Sequence, residues 1–371
     1  IKNSGPIIFQ RFMELALYHP QWGYYTSARE KIGGAGDFYT SSHVGSIFGE
    51  MMGRQLLEIW ERLERPSPFN VVEYGAGKGL WARDIIMYLE NTNLEAYGAL
   101  NYAIIEISPN LQKHQQETLL AAGISLRQVR WVENIKEVAK EPFIGCIISN
   151  ELIDAFPVHM VQNTDKGMME AMVNLDEQDN LIQEFSIPAS NKLLKFAEIA
   201  QLQLEEGQII EINLAGVKWL EEVSQALQKG YILTIDYGYL SQELVVPHRF
   251  DGTLLCYERH QVKENPLENI GARDITAHVN FTSLMEYGKL FGLENLGYTT
   301  QGKFLLAIGI LERLEEEGQK EFDLERFKRQ QQIKQLIMPG GMGDTFKLLA
   351  QGKNLSLEEQ QLTGVKKLGL R

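Results

Sequence analysis

An acidic residue and three regularly spaced glycines occur together early in the chain. A short apolar run ends at Glu73, and Gly75, Gly77 and Gly79 follow at every second position before a helix-forming segment begins. Glycine adopts positive φ and lets a ligand approach the backbone with no Cβ in the way. A dinucleotide fingerprint needs its third glycine at position 80, where this chain has Leu80. We expect a strand, a ligand-binding loop and a helix N-terminus here, and a purely structural turn is the alternative.

A second acid, Glu106, lies at the end of the next apolar run and is followed by Ile107. In open α/β sheets, ligands bind outside the carboxyl ends of the strands. A carboxylate at that edge can accept hydrogen bonds from both hydroxyls of a ribose. Asn134 and Ile135 follow the third run, where they could offer a polar contact and an apolar face to an adenine. The alternative for Glu106 is an exposed acid that binds nothing.

Three polar residues follow the fourth apolar run: Asn150, Glu151 and Asp154. If residues 151–156 form a short helix, the two acids lie three positions apart and share one face. Such a pair could hold a cationic nucleophile or receive its proton. The alternative is that Asn150 caps the helix and the acids complement its N-terminal dipole.

A long polar segment, residues 239–280, contains Asp274 and His278. These side chains could orient a substrate or accept a proton, or they could belong to a hydrogen-bonded turn. The chain has no H-x-x-x-H spacing and no cysteine pair, so we expect no metal site. It has no G-x-S-x-G motif, which argues against a serine hydrolase.

Composition limits the classes of protein. The 371 residues carry a formal net charge of −13, which argues against nucleic acid as a partner because binding phosphates needs basic clusters. Two cysteines, Cys146 and Cys256, favour a reducing compartment. No apolar run reaches the ~20 residues of a membrane span. We expect a cytoplasmic protein, or a mitochondrial matrix protein if a leader has been removed.

Alternation of strands and helices from residue 69 predicts an α/β fold with a mainly parallel sheet. The predicted strands are 69–74, 102–107, 129–132, 143–149 and 231–236, closed by an antiparallel hairpin of 293–299 and 303–311. The predicted helices are 6–18, 44–62, 80–90, 109–122, 151–156, 190–204, 214–228 and 314–337. The expected organisation is a helical cover (1–64), a core (65–157 and 208–311), an insertion with a β-meander and a helix (158–207), the long loop (239–280) within the core, and a C-terminal helical extension (312–371).

Several segments together resemble the MidA family of methyltransferases, which is related to the mitochondrial complex I assembly arginine methyltransferase. The match covers most of the chain and is more specific than the glycine loop alone. The segments are RFMELALYHP at 11–20, GDFYTS at 36–41, FGE at 48–50, the glycine loop at 73–79, NELIDAFP at 150–157, DYGY at 236–239, DITAHVNF at 274–281 and MGDTFKLL at 342–349.

This resemblance implies a class I methyltransferase fold with a seven-stranded, Rossmann-like sheet. It also implies that the protein binds S-adenosyl-L-methionine, releases S-adenosyl-L-homocysteine and methylates an arginine of a protein substrate. Glu73 would then lie near the methionine ammonium, and Glu106 would hold the ribose. The residues expected to contact the cofactor are Asp37, Thr40, Ser41, Glu73, Gly75, Ala76, Gly77, Gly79, Glu106, Ile107, Asn134, Ile135 and Asn150.

For an arginine substrate, Glu151 and Asp154 are the expected guanidinium ligands, with His278 or Asp274 as proton acceptor or orienting group. A methyltransferase for a small molecule or another protein residue would carry the same motifs. A non-catalytic assembly factor that retains the fold is a further alternative. The helix at 314–337 could pair two subunits in a homodimer, or it could equally well pack within the chain.

Overall fold

The computed structural model describes residues 1–3, 5–26, 45–138, 141–258, 261–263, 265–319 and 324–365, with the backbone alone for 316–319 and 325. The chain divides into two compact units. Unit 1 consists of Ile1–Phe38, Ile153–Glu221 and Gly238–Tyr287, and unit 2 consists of Tyr39–Leu152, Glu222–Tyr237 and Gly288–Arg371.

Strands and helices alternate through much of the chain. The strands are β1 (Ile7–Ile8), β2 (Phe69–Tyr74), β3 (Leu100–Ile105), β4 (Val129–Val132), β5 (Phe143–Asn150), β6 (His159–Thr164), β7 (Gly167–Leu175), β8 (Leu181–Pro188), β9 (Ile209–Ile212), β10 (Leu227–Tyr239), β11 (Leu255–Glu258), β12 (Gln261–Lys263), β13 (Asp274–Thr276), β14 (Val279–Asn280), β15 (Glu294–Thr300) and β16 (Phe346–Lys353). The helices are α1 (Phe9–Tyr18), α2 (Ser46–Arg62), α3 (Leu80–Thr92), α4 (Leu94–Ala99), α5 (Pro109–Ala121), α6 (Asn191–Ile199), α7 (Leu214–Ala226), α8 (Ser241–Leu244), α9 (Phe281–Leu290), α10 (Gln301–Ala307), α11 (Ile310–Gln319), α12 (Leu324–Ile337) and α13 (Met342–Thr345).

Unit 2 is built on a sheet with the strand order β15-β16-β10-β5-β2-β3-β4. The pairs from β10 to β4 are parallel, and β16 runs antiparallel to both β10 and β15. Strand β2 reads FNVVEY and is buried on both faces, as expected for the centre of a parallel sheet. Helices α2 and α3 contribute to the hydrophobic core with side chains such as Phe48, Trp60 and Ile85. The predicted fold class is confirmed.

The described part of unit 1 contains two smaller sheets. In the first, β1, β7, β6 and β9 lie in that order and β8 pairs with β7, which gives the antiparallel meander expected for 158–187. In the second, β11 lies between β12 and β13, so part of the predicted loop 239–280 forms regular structure. Helix α1 packs Phe9, Phe12 and Leu17 into the core of this unit, and α6 buries Leu193 and Phe196.

The closing pair of strands differs from the prediction. Its first strand is β15, close to the expected 293–299, but residues 303–311 are not its partner. Residues Gln301–Ala307 form α10, which the Thr300 hydroxyl caps by accepting from the Lys303 N–H. The second strand is β16, which lies in the segment predicted as a helical extension. That segment therefore contributes helices and also a strand of the main sheet.

Two predicted helices also differ. Residues 151–156 form turns, because Glu151 has a φ of +50° and cannot continue a right-handed helix. The helix expected at 314–337 is found as α11 and α12, on either side of residues outside the described part of the chain.

Candidate active site

The glycine loop of unit 2 has the backbone that its spacing predicts. Gly75, Gly77 and Gly79 have φ values of +67°, +52° and +78°, and α3 begins directly after Gly79. A Cβ on Gly79 would come within 3.1 Å of the Gln115 Cα, whereas a Cβ on Gly77 would meet nothing within 4 Å. The loop therefore needs glycine for its conformation, and it leaves open space beside Gly77 where a ligand can approach the backbone.

Glu73, near the end of β2 and two residues before this loop, is buried. The Tyr102 hydroxyl donates to its Oε2 at 2.7 Å. Burial raises the pKa of Glu73 to about 7, while the hydrogen bond from Tyr102 acts in the opposite direction. The pKa of this carboxyl group therefore lies near neutral pH, and a nearby cation would favour its charged form.

Glu106 follows β3 and is held from two sides. The Ser108 N–H donates to its Oε1 at 2.8 Å, and the Gln115 side chain donates to its Oε2 at 3.1 Å. Burial raises the pKa of Glu106, and these hydrogen bonds oppose the change. Each carboxylate oxygen still has a lone pair in addition to the one in use, so the group can accept further hydrogen bonds from a diol.

Gln115, on α5, was not anticipated from the sequence, because nothing distinguishes it there from the other glutamines of the same helix. It is fully buried, and its amide also donates to the Gly77 carbonyl at 3.0 Å. Its Oε1 accepts from the indole N–H of Trp131 at 2.9 Å. Gln115 therefore connects the glycine loop with Glu106.

The residues expected near an adenine have different environments. Ile107 is 62% exposed and Ile135 is buried. Asn134 caps a turn of 3-10 helix, where its Oδ1 accepts from the Lys136 N–H and its amide donates to Glu137. An apolar surface is therefore present next to Glu106, while the polar atoms of Asn134 already have partners.

Asn150 and Glu151 are at the end of β5 in unit 2. The Asn150 amide donates to Glu151 Oε1 at 3.1 Å, and the Glu151 N–H donates to the Ile235 carbonyl at 2.9 Å. The left-handed backbone of Glu151 ends the strand and turns the chain. The argument that Glu151 and Asp154 share a helical face is wrong, since the segment is not helical.

Asp154 and Asp274 belong to unit 1, where both are buried. The Tyr25 hydroxyl contacts both carboxylate oxygens of Asp274 at 2.8 Å, and its ring stacks on Tyr18 with centroids 5.4 Å apart. Burial raises the pKa of Tyr25 well above its usual value, and Asp274, Tyr18 and Asp154 raise it further. Tyr25 therefore keeps its proton and acts as a donor. We refer to Tyr18, Tyr25, Asp154 and Asp274 as the acidic cluster.

His278 lies in unit 1, between β13 and β14. Its backbone N–H donates to the Thr253 hydroxyl at 3.1 Å, and the preceding Ala277 N–H donates to the Asp154 carbonyl at 3.0 Å. Its ring lies 5.3 Å from that of Tyr239. The backbone thus ties the segment carrying His278 to Asp154.

The predicted contacts of Asp37, Thr40 and Ser41 lie outside the described residues. Within the described ranges, no group of three or more His, Cys, Asp and Glu side chains could hold a metal ion. No helix in the same ranges is long and apolar enough to span a membrane.

In unit 2 the parts required by a nucleoside with a charged tail lie along one edge of the sheet. An exposed isoleucine and a doubly hydrogen-bonded acid, Ile107 and Glu106, follow β3, and the glycine loop follows the neighbouring strand β2. The open side of Gly77 and the remaining acceptor capacity of Glu106 fit S-adenosyl-L-methionine.

A family model described as "Putative S-adenosyl-L-methionine-dependent methyltransferase" matches residues 51–299. The chain belongs to this family. It is 30% identical to a COG1565 superfamily member from Burkholderia thailandensis bound to S-adenosyl-homocysteine, with a TM-score of 0.85 over 99% of this chain and 93% of that one. The family matches the MidA resemblance, which is therefore confirmed.

Curated relatives are similar along nearly the whole chain. The cattle (Bos taurus) protein arginine methyltransferase NDUFAF7, mitochondrial, is 29% identical over 94% of this chain and 81% of its own length. The human (Homo sapiens) protein of the same name is 28% identical over 94% and 81%. The MidA-family chain is thus an S-adenosyl-L-methionine-dependent methyltransferase, as the sequence predicts.

Proposed function

We propose that this MidA-family methyltransferase transfers methyl groups to an arginine side chain of a protein. The observation that carries the proposal is the similarity, over 94% of the chain, to relatives named as protein arginine methyltransferases. A substrate related to complex I or to a bacterial NADH dehydrogenase is the corresponding partner. A methyl acceptor from the small-molecule class has no comparable support.

The acidic cluster supports an arginine acceptor on chemical grounds. A guanidinium has a pKa above ~12, so it reaches an active site as a planar cation with five N–H donors. Buried carboxylates such as Asp154 and Asp274 compensate that charge and orient the plane by paired hydrogen bonds. The stacked rings of Tyr18 and Tyr25 offer the flat surface on which guanidinium groups commonly pack.

We assign Asp154 and Asp274, in unit 1, to orienting the guanidinium and drawing its charge toward one nitrogen, and the role of Glu151 stays a prediction from the sequence. The other nitrogen is then free to attack, and one carboxylate or His278 accepts the proton that leaves it. The cofactor, when bound, supplies an electrophilic methyl group on a sulfonium. The main task of the protein is alignment of donor and acceptor, which accelerates reactions without requiring a covalent intermediate.

We assign the cofactor contacts as the sequence predicts them. The glycine loop receives the methionine half, Glu106 accepts from the ribose hydroxyls, and Ile107 and Ile135 bound the adenine. Glu73 lies near the ammonium, whose charge would stabilise its ionised form. Asn134 and Asn150 remain proposed polar contacts, and the contacts predicted for Asp37, Thr40 and Ser41 lie outside the described residues.

Cellular location and assembly are further proposals. The curated relatives are named as mitochondrial, which favours the matrix in a eukaryotic source, whereas a cytoplasmic location suits a bacterial one. A homodimer stays a prediction that light scattering can test.

The experiment for the substrate class uses methyl-labelled S-adenosyl-L-methionine and a whole lysate, whose proteins and small molecules are separated after the reaction. We expect label on a protein, and acid hydrolysis should release it as methylated arginine. A peptide around the labelled site should accept methyl groups, and its Arg→Lys version should not. Label found only in metabolites, or on lysine, would overturn the arginine assignment.

A further inference from the structure

The buried amide of Gln115 touches two parts of the proposed cofactor site at once. Its Nε2 donates to the Gly77 carbonyl at 3.0 Å and to Glu106 Oε2 at 3.1 Å, so both amide protons are used. The side chain is fully buried on α5. We propose that Gln115 is a positioning residue that fixes the Glu106 carboxylate for the ribose hydroxyls and ties it to the glycine loop. This inference rests on the ribose contact assigned to Glu106 above.

Trp131, on β4, sets the direction of the amide. An indole N–H is only a donor, so the Gln115 atom that faces it at 2.9 Å must be the carbonyl oxygen. The amide nitrogen then points necessarily toward Gly77 and Glu106. All the polar atoms of Gln115 thereby have partners, and rotation of the amide would break three hydrogen bonds together.

The position of Gln115 also explains the tight packing at Gly79. A Cβ on Gly79 would come within 3.2 Å of the Gln115 Cβ and Cγ. The glycine loop and α5 are therefore in direct contact at both Gly77 and Gly79. A side chain of different shape at position 115 would shift the loop and the carboxylate together.

Gln115 has an electrostatic effect on Glu106 as well. The groups that face this carboxylate in the described residues are the backbone N–H groups of Ile107 and Ser108 and the Gln115 amide, and no charged side chain is among the causes of its pKa change. Burial raises the pKa of Glu106, and the amide favours the ionised form. A protonated carboxyl accepts ribose hydrogen bonds poorly, so cofactor affinity should fall as the pH drops through this pKa.

The test is titration calorimetry of S-adenosyl-homocysteine and its 2′-deoxy analogue from pH 5 to pH 8. In Gln115→Met we expect about tenfold weaker binding at pH 7, because a buried acceptor loses its donor. We also expect the pH at which affinity is lost to move upward, and the preference for the ribose compound to shrink. Gln112→Met is the matched comparison, since Gln112 donates to the backbone carbonyl of Glu106 rather than to its carboxylate; its pH midpoint should not move.

Trp131→Phe is a second variant in case Gln115→Met does not fold. This variant keeps both amide donors of Gln115 but frees the amide to rotate. We therefore expect a smaller upward shift of the pH midpoint and a smaller loss of ribose preference. If Gln115→Met, or Trp131→Phe in its place, folds and keeps the wild-type pH dependence and ribose preference, the inference is overturned.

The variant Glu106→Gln separates the ribose contact of Glu106 from the positioning role of Gln115. If it keeps the wild-type ribose preference, the assigned ribose contact is itself wrong. If it loses that preference while Gln115→Met keeps it, only the role of Gln115 is refuted.

Discussion

The glycine loop of unit 2 and the acidic cluster of unit 1 are built in different ways. The loop takes its shape from consecutive residues, since Gly75, Gly77 and Gly79 adopt positive φ between a strand and a helix. The acidic cluster joins residues far apart in the chain, with Tyr25 donating to Asp274 across 249 positions. Local sequence therefore determines the first region, and tertiary structure determines the second. We propose that the first region binds the cofactor common to the family and that the second contains the features that select a substrate.

The largest effect should come from the acids proposed to bind the methyl acceptor, which include Asp274 of the acidic cluster and Glu151 of unit 2. Glu151→Gln and Asp274→Asn each remove a charge while preserving shape, and we expect turnover to fall roughly 10²-fold or more. Affinity for S-adenosyl-homocysteine should stay within about twofold. Asp165→Asn, an exposed acid in a turn of unit 1, is the control and should behave as wild type. Near-normal turnover in the two test variants would remove these acids from the mechanism.

A change in the glycine loop should instead weaken the binding of the cofactor. Gly79→Val places a branched side chain at a φ of +78° and against Gln115, so cofactor affinity should fall about 100-fold or more. Gly98→Ala in α4 is the comparison, because a Cβ there meets nothing within 4 Å. Calorimetry measures the affinity, and melting curves show whether each variant is folded. Wild-type affinity in folded Gly79→Val would mean that the loop does not bind the cofactor.

Glu73, which precedes the glycine loop, should make the free energy of unfolding depend on pH. Its pKa is raised from about 4.5 to about 7, so the folded state binds more protons than the unfolded state between these values. Stability is therefore greater at the acidic end of this range and decreases as pH rises through it, by roughly 2–3 kcal/mol between pH 5 and pH 8. Glu73→Gln should reduce that decrease in urea denaturation. An identical pH dependence in both proteins would contradict the burial of an ionising group at this position.

Of the four predicted effects, that of Tyr25→Phe should be the smallest. This variant tests how Tyr25 acts within the acidic cluster. The phenylalanine keeps the stacked ring but loses the hydrogen bond to Asp274. We expect kcat to fall about tenfold, with KM for the cofactor unchanged, since one hydrogen bond to a charged group contributes about 1.5 kcal/mol. Tyr25→Leu, which also loses the stacking surface, should raise the KM for the peptide. Equal behaviour of the two variants would argue against a stacking role.

The parts of the fold that were predictable are those fixed by local pattern. Strand β2 has the expected bounds, 69–74, because an apolar run is followed at once by glycines. Residues 303–311 show the limit, since a continuous apolar run suits a strand or a buried helix equally well. Here Phe304, Leu305 and Ile308 are buried in the core, and the Gln301 amide donates to the Leu336 carbonyl, so tertiary contacts select a helix.

The site shows the same limit. Glu73, Glu106 and the glycines could be proposed as cofactor ligands from the sequence because they lie at strand ends or in a spaced motif. Gln115 and Tyr25 could not be proposed, because their contacts depend on partners from other elements. The error at 151–156 has a local cause, the left-handed backbone of a glutamate, which no propensity rule indicates.

A crystal structure of the complex with S-adenosyl-L-homocysteine tests the central claim most directly. We predict that the ribose hydroxyls lie within hydrogen-bond distance of Glu106 and that the homocysteine half lies against Gly75 and Gly77. Density for the cofactor at another edge of the sheet, or a ribose without contact to Glu106, would contradict the proposed site.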